Sequence, residues 1–265
     1  MDNASRALLG FTARQMTRSV KGWLFILLLT VPWLATLLLR LLIARGVQVP
    51  MGGVTLYGMA VLFYVLGFLV PLSTLFFGVA LVADEVEGGT LPYLFGRPVR
   101  RERLYLSRYA ATCAMLVVGA WISVLGTYVL AVSEPGAAEL GKELGTLMMD
   151  LVTVAAAVFA YGALYGFLGL ALKRPLFAAL IIGFGWENLV AWLPGFLKRL
   201  TLLFHLHTLL PHSAGPAGVV QQLLAATESR IAAAAFLVFY WALTLGLSCL
   251  LIRRMEASAS EREGV

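Results

Sequence analysis

The chain has 265 residues, 60% hydrophobic and only 13% charged, with a mean hydropathy of +0.88 and a net charge of +6. Soluble domains carry about a quarter charged residues, so this composition excludes an ordinary soluble fold and indicates a membrane protein. The positive charge reads as anchoring of Lys and Arg on the cytoplasmic side, not as a nucleic-acid surface.

Residues 1–22 come first as an amphipathic N-terminal helix. On a helical wheel Arg14, Arg18 and Lys21 share one narrow arc, and Leu8, Leu9, Met16 and Val20 another. Such a helix lies flat on the inner leaflet. No cleavable signal peptide is expected, because the first apolar run is long enough to span and no small-residue cleavage site follows it.

A bilayer core of roughly 30 Å needs about 20 apolar residues as a helix. Six runs are read as spans: Trp23 to Ala44, Val54 to Ala83, Leu104 to Val132, Leu147 to Leu172, Leu176 to Leu193 and Ile231 to Ile252. Pro32 and Pro71 fall inside the first two, where a kink is the default expectation. Cys113 and Cys249 each sit in an apolar run and read as small buried hydrophobes. With the N-terminus inside, 14 of the 20 basic residues fall on the inner segments. Both termini and the second loop are therefore expected in the cytoplasm. The outer loop, 194–230, is too apolar for a plain connection: "FLKRLTLLFHLHTLL" predicts a short helix, either interfacial or re-entrant. No repeat or linker divides the chain, so 1–265 is read as a single transmembrane domain.

Eight of the 34 charged residues gather between Asp84 and Arg103. Gly88 and Gly89 break the second span's helix, Thr90 is a good N-cap, and Pro92 suits a first helical turn. Leu91, Leu94 and Phe95 then recur at i, i+3 and i+4, giving a two-turn helix an apolar face. Gly96 and Arg97-Pro98 end it. So short a helix is not stable alone in water, and its face needs a receiver.

The pattern Glu85-x-Glu87-x-Gly89-Thr90-Leu91, then Arg97-Pro98-Val99-x-Arg101 and Arg108, resembles the signature of ABC-transporter permeases of the type-2 exporter class. "GFGWENLVAWLPG", with Trp186 and Glu187 before a Leu-Pro-Gly exit, is similar to the end of the fifth span in that family. The layout agrees: an amphipathic helix, six spans, and a cytoplasmic loop between the second and third. Pro92 departs from the pattern, since a good helix former is expected there.

The resemblance implies an all-α polytopic permease in the cell inner (cytoplasmic) membrane. Its loop 84–103 carries a coupling helix that docks on a separate ABC ATPase subunit. Two ATPase copies and two permease copies are implied, a homodimer being favoured over a heterodimer. Leu91, Leu94 and Phe95 then fill the ATPase groove. Glu85 and Glu87 pair with basic groups, and Arg97 and Arg101 hold the loop against carboxylates or lipid phosphates. No G-x-x-x-x-G-K-[ST] occurs, and the one Gly-Lys pair, Gly141-Lys142, is followed by Glu143. No cofactor is expected on this chain; ATP and Mg belong to the partner.

The other candidates are polar groups within spans. Glu187 is expected to stay protonated, pair with Lys198 or Arg199, line the substrate path, or serve as a structural hydrogen-bond partner. Gly162 and Gly166 permit a close helix contact, within the chain or at a dimer seam. His205, His207 and His212 lack a nearby acid or cysteine and do not make a metal site. A membrane-embedded hydrolase using Glu187 and the histidines is the alternative function, and a non-transporting assembly factor a further one. The substrate is not legible.

Overall fold

The computed structural model describes residues 19–46, 53–87, 101–132, 144–172, 174–191, 193, 196–211 and 229–263. Side chains at 54, 82–87, 101, 132 and 255–263 fall outside that description. The expected amphipathic helix lies almost wholly outside it. So do the coupling-helix positions Gly89, Thr90, Leu91, Leu94, Phe95 and Arg97, and the side chains of Glu85, Glu87 and Arg101.

All regular structure among the described residues is helical. Helix α1 is Val20–Ala44; it starts on Ser19, whose Oγ accepts the Gly22 N–H at 3.1 Å, and stops where Gly46 takes a φ of +88°. Helix α2 covers 53–87, with wide π-type turns over Ala60–Leu69. Then follow α3 (Arg101–Val132), α4 (Leu144–Ala171) and α5 (Pro175–Ala191), the last with π-type turns over Ile181–Glu187. A single 3₁₀ turn, Leu197–Leu200, leads to α6 (Leu202–Leu209), and α7 runs over Arg230–Glu263.

Among the described residues, five helices are long and apolar enough to cross a membrane: α1, α2, α3, α4 and α7. The expected fifth span, Leu176 to Leu193, is the shorter α5, only about 25 Å long at 1.5 Å per residue. The chain is an all-helical, polytopic membrane protein.

Helix α4 is the axis of the bundle, packing against α2, α3, α5, α6 and α7. Its span is 67% buried, whereas that of α1 is 11% buried and packs mainly on α3. Small residues set these contacts. A Cβ on Gly78 of α2 would lie 3.0 Å from Tyr165 Cβ, and one on Gly169 of α4 3.1 Å from the Val79 carbonyl. On α3, Gly119 and Gly126 leave room for the rings of Phe25 and Trp33 from α1, which any side chain there would strike.

Both prolines stay inside continuous helices, and their neighbours explain how. A proline lacks the N–H that would reach the carbonyl four residues back. For Pro32 that carbonyl is Leu28, and Tyr64 Oη of α2 donates to it at 2.7 Å. Ser123 Oγ of α3 donates to the next carbonyl, Leu29, at 2.9 Å. For Pro71 it is Gly67, and Asn188 Nδ2 of α5 donates to it at 3.2 Å. The same amide donates to Gly183 O at 3.1 Å, inside the π-type turns of α5. In lipid no water can take these roles, so the freed carbonyls fix which helices meet.

Leaving a buried carbonyl without a donor costs about 1–3 kcal/mol. Asn188→Leu orphans two carbonyls and Tyr64→Phe one. The unfolding midpoint in detergent is expected to fall for both, and further for Asn188→Leu; an unchanged Asn188→Leu midpoint would contradict this assignment.

Candidate functional site

The candidate site is a polar hub at Glu187 and Asn188, adjacent residues of α5. Wide π-type turns precede them, and π-type irregularities often mark functional positions. Glu187 is buried in the bundle while its neighbour Trp186 is exposed on the outer surface, so the two point apart. One carboxylate oxygen of Glu187 accepts from Tyr161 Oη of α4 at 3.1 Å and from the Leu203 N–H of α6 at 3.0 Å.

That second bond explains the acid. Helix α6 is buried along nearly its whole length, through Leu202, Leu203, Phe204, His205, Leu206 and Thr208. A helix start leaves four N–H groups without intrahelical partners and carries partial positive charge. Thr201 caps the Phe204 N–H through its Oγ1 at 3.3 Å, and Glu187 takes the Leu203 N–H. The carboxylate thus has donors and a favourable dipole in a place where an isolated charge would be prohibitive. Of the roles open for Glu187, the geometry supports structural hydrogen bonding. Its described bonds involve neither Lys198, whose Nζ sits over the Phe204 ring at 5.2 Å, nor Arg199.

Helix α6 lies in the segment read from sequence as interfacial or re-entrant and is buried against the bundle; the exposed part is the preceding turn with Phe196, Leu197 and Leu200. His205 stacks on Phe236 of α7, centroids 3.9 Å apart, and its Nδ1 donates to Thr201 O at 2.9 Å. His207 lies on α6, beside the buried Leu206 and Thr208. His212 lies outside the described residues. No three His, Cys, Asp or Glu side chains among the described residues form a metal-binding group.

Gly162 and Gly166 pack within the chain. A Cβ on Gly162 would meet Cys113 Sγ at 3.0 Å, and one on Gly166 would press on Tyr105 Oη at 2.6 Å, both on α3. Tyr161 and Tyr165 are fully buried and stacked, centroids 6.0 Å apart.

Sequence reasoning passed over Asn188 and a second buried acid. Asp150, near the start of α4, is fully buried and accepts from Tyr57 Oη of α2 at 2.8 Å. The Tyr57 ring meets that of Tyr128 of α3 edge to face at 5.3 Å. An acid inside an expected span is the signal that singled out Glu187, and it applied to Asp150 equally.

In a background with Cys113→Ala and Cys249→Ala, Leu203→Cys should resist a membrane-impermeant maleimide. Adding Glu187→Leu is expected to expose it to labelling, with Glu187→Gln between the two. Equal protection in all three would show that the carboxylate does not hold α6.

No curated protein matches the chain. Residues 16–186, about two-thirds of the chain, match the family described as ABC-2 family transporter protein. The matched region takes in α1 to α4 and α5 as far as Trp186, one residue short of the hub's carboxylate. It also takes in the whole charged loop. The chain belongs to the ABC-2 transporter permease family, as a membrane-embedded transport protein.

Proposed function

We propose that the chain is the six-span permease subunit of an ATP-binding cassette exporter, with both termini on the cytoplasmic side of the inner membrane. A separate ATPase docks on the loop 84–103, and α5 serves as the fifth span. The observation that carries the reading is the family match across 16–186, which contains that loop. The bundle is compatible with the proposed sidedness. The start of α3 and Arg253 of α7 meet at one end, and Tyr57, Tyr128 and Asp150 gather at the other.

In this scheme Leu91, Leu94 and Phe95 fill a groove on the ATPase, with Gly89 and Thr90 shaping the helix start. Glu85, Glu87, Arg97 and Arg101 hold the loop by charge-assisted bonds. Two ATPase copies close on ATP with Mg and move two docked loops. A second permease copy, favoured as identical, completes the pathway between them. The hub at Glu187 and Asn188 keeps α6 seated within each copy while the spans move.

An aspartate at the centre of the apolar face buries a charge that the groove cannot pair. Leu94→Asp is expected to abolish co-purification of the ATPase or its coupling to transport, with the unfolding midpoint of the spans unchanged. A Leu94→Asp chain that assembles with the ATPase and transports normally defeats the docking assignment.

A further inference from the structure

Helices α3 and α7 both pack on α4 and touch each other only sparsely. Two polar pairs join them. At the end of the bundle, Arg253 of α7 grips Glu102 of α3 with both Nε and Nη2, the latter 3.1 Å from Oε2. One turn further into the bundle, Tyr105 Oη is buried without a hydrogen-bond partner. Another turn in, Trp241 Nε1 donates to Tyr109 Oη at 2.8 Å, and Tyr109 Oη donates to the Phe159 carbonyl of α4 at 2.6 Å. Glu102, Tyr105 and Tyr109 are spaced i, i+3 and i+7, so they form one stripe on α3.

The position of this stripe gives it meaning. Glu102 belongs to the charged loop 84–103 and also to the first turn of α3. Any displacement of the loop therefore acts first on the residue that α7 holds. Apolar helix faces slide past one another at little cost, whereas the partly buried Trp241–Tyr109 hydrogen bond is directional and breaks if the helices slip. The two-point grip of Arg253 on a carboxylate adds geometric specificity.

We propose that the two pairs Glu102–Arg253 and Tyr109–Trp241 form a strut that makes α7 follow the loop end of α3. Their members are positioning residues: they touch no substrate and act by passing displacement from one helix to another. The Tyr109–Phe159 bond ties the deep end of the strut to α4, so it is the pivot, and the Glu102–Arg253 end moves most. The strut rests on the reading that an ATPase displaces the loop.

The test uses the permease with its co-purified ATPase in lipid nanodiscs. Spin labels go on Leu250→Cys of α7 and Phe177→Cys of α5, both exposed positions, in the Cys113→Ala and Cys249→Ala background. The label distance is measured with and without a non-hydrolysable ATP analogue and Mg. The intact strut should give a nucleotide-dependent shift. Glu102→Gln with Trp241→Phe should cut that shift to less than half, and the charge reversal Glu102→Arg with Arg253→Glu should restore most of what Glu102→Arg alone loses. A contact that only stabilises the fold would lower the unfolding midpoint and leave the shift intact, which overturns the strut. So does an ATPase-bearing complex with no shift at all. A chain that retains no ATPase defeats the function reading first, and the strut with it.

Discussion

A backbone carbonyl or N–H that loses its helical partner inside a bilayer must find a donor or acceptor on the protein itself. Among the described residues Pro32, Pro71 and the start of the buried helix α6 create such orphans. Each is answered by a side chain from another helix: Tyr64 for Leu28, Asn188 for Gly67, and Glu187 for Leu203. These bonds connect α1 to α2, α2 to α5, and α5 to α6. The Tyr161 hydroxyl adds α4 through the same carboxylate. The arrangement of helices follows from the need to meet these groups as much as from apolar packing, which lipid tails would satisfy almost as well.

This constraint also gives Glu187 and Asn188 different meanings from those that polarity alone suggests. An acid in a span is a functional candidate by default. Here the acid caps a helix whose N–H groups have nowhere else to turn, and the amide next to it serves two carbonyls in two π-type stretches. The hub is a bracket that holds α6 within the bundle. Family membership places the chain among the ABC-2 permeases, and the proposed site of energy input is separate from the hub in sequence, in the loop before α3. The strut from Glu102 to Trp241 would join that loop to α7.

Much of the fold was legible because length and hydropathy are one-dimensional properties. The expected starts and ends of α1, α3 and α4 lie within a few residues of the observed helices, since charged or Gly-rich stretches flank them. The fifth run, Leu176 to Leu193, corresponds to α5, Pro175–Ala191, and the short helix expected after it is α6; what the sequence did not disclose is how deeply α6 is buried. The partners of the polar residues were hidden for a different reason. Nothing local links Asn188 to Gly67, 121 residues away. Yet the demand was visible, because Pro71 fixes Gly67 as a carbonyl in need of a donor. Pro32 likewise fixes Leu28, and the expected kinks did not break either helix because donors were supplied. Asp150 carried the same signal as Glu187 and was overlooked beside it. The coupling positions Leu91, Leu94 and Phe95 rest on sequence pattern and lie outside the described residues.

The account stands or falls on whether another subunit's ATP acts on this chain at the charged loop. Photocross-linking from position 94, with Leu94 replaced by a benzoylphenylalanine in otherwise unaltered cell membranes, tests this most directly. The predicted result is an adduct with an ATP-binding subunit whose yield changes when a non-hydrolysable ATP analogue is added. Adducts confined to the chain itself or to lipid, with the complex intact, would contradict it.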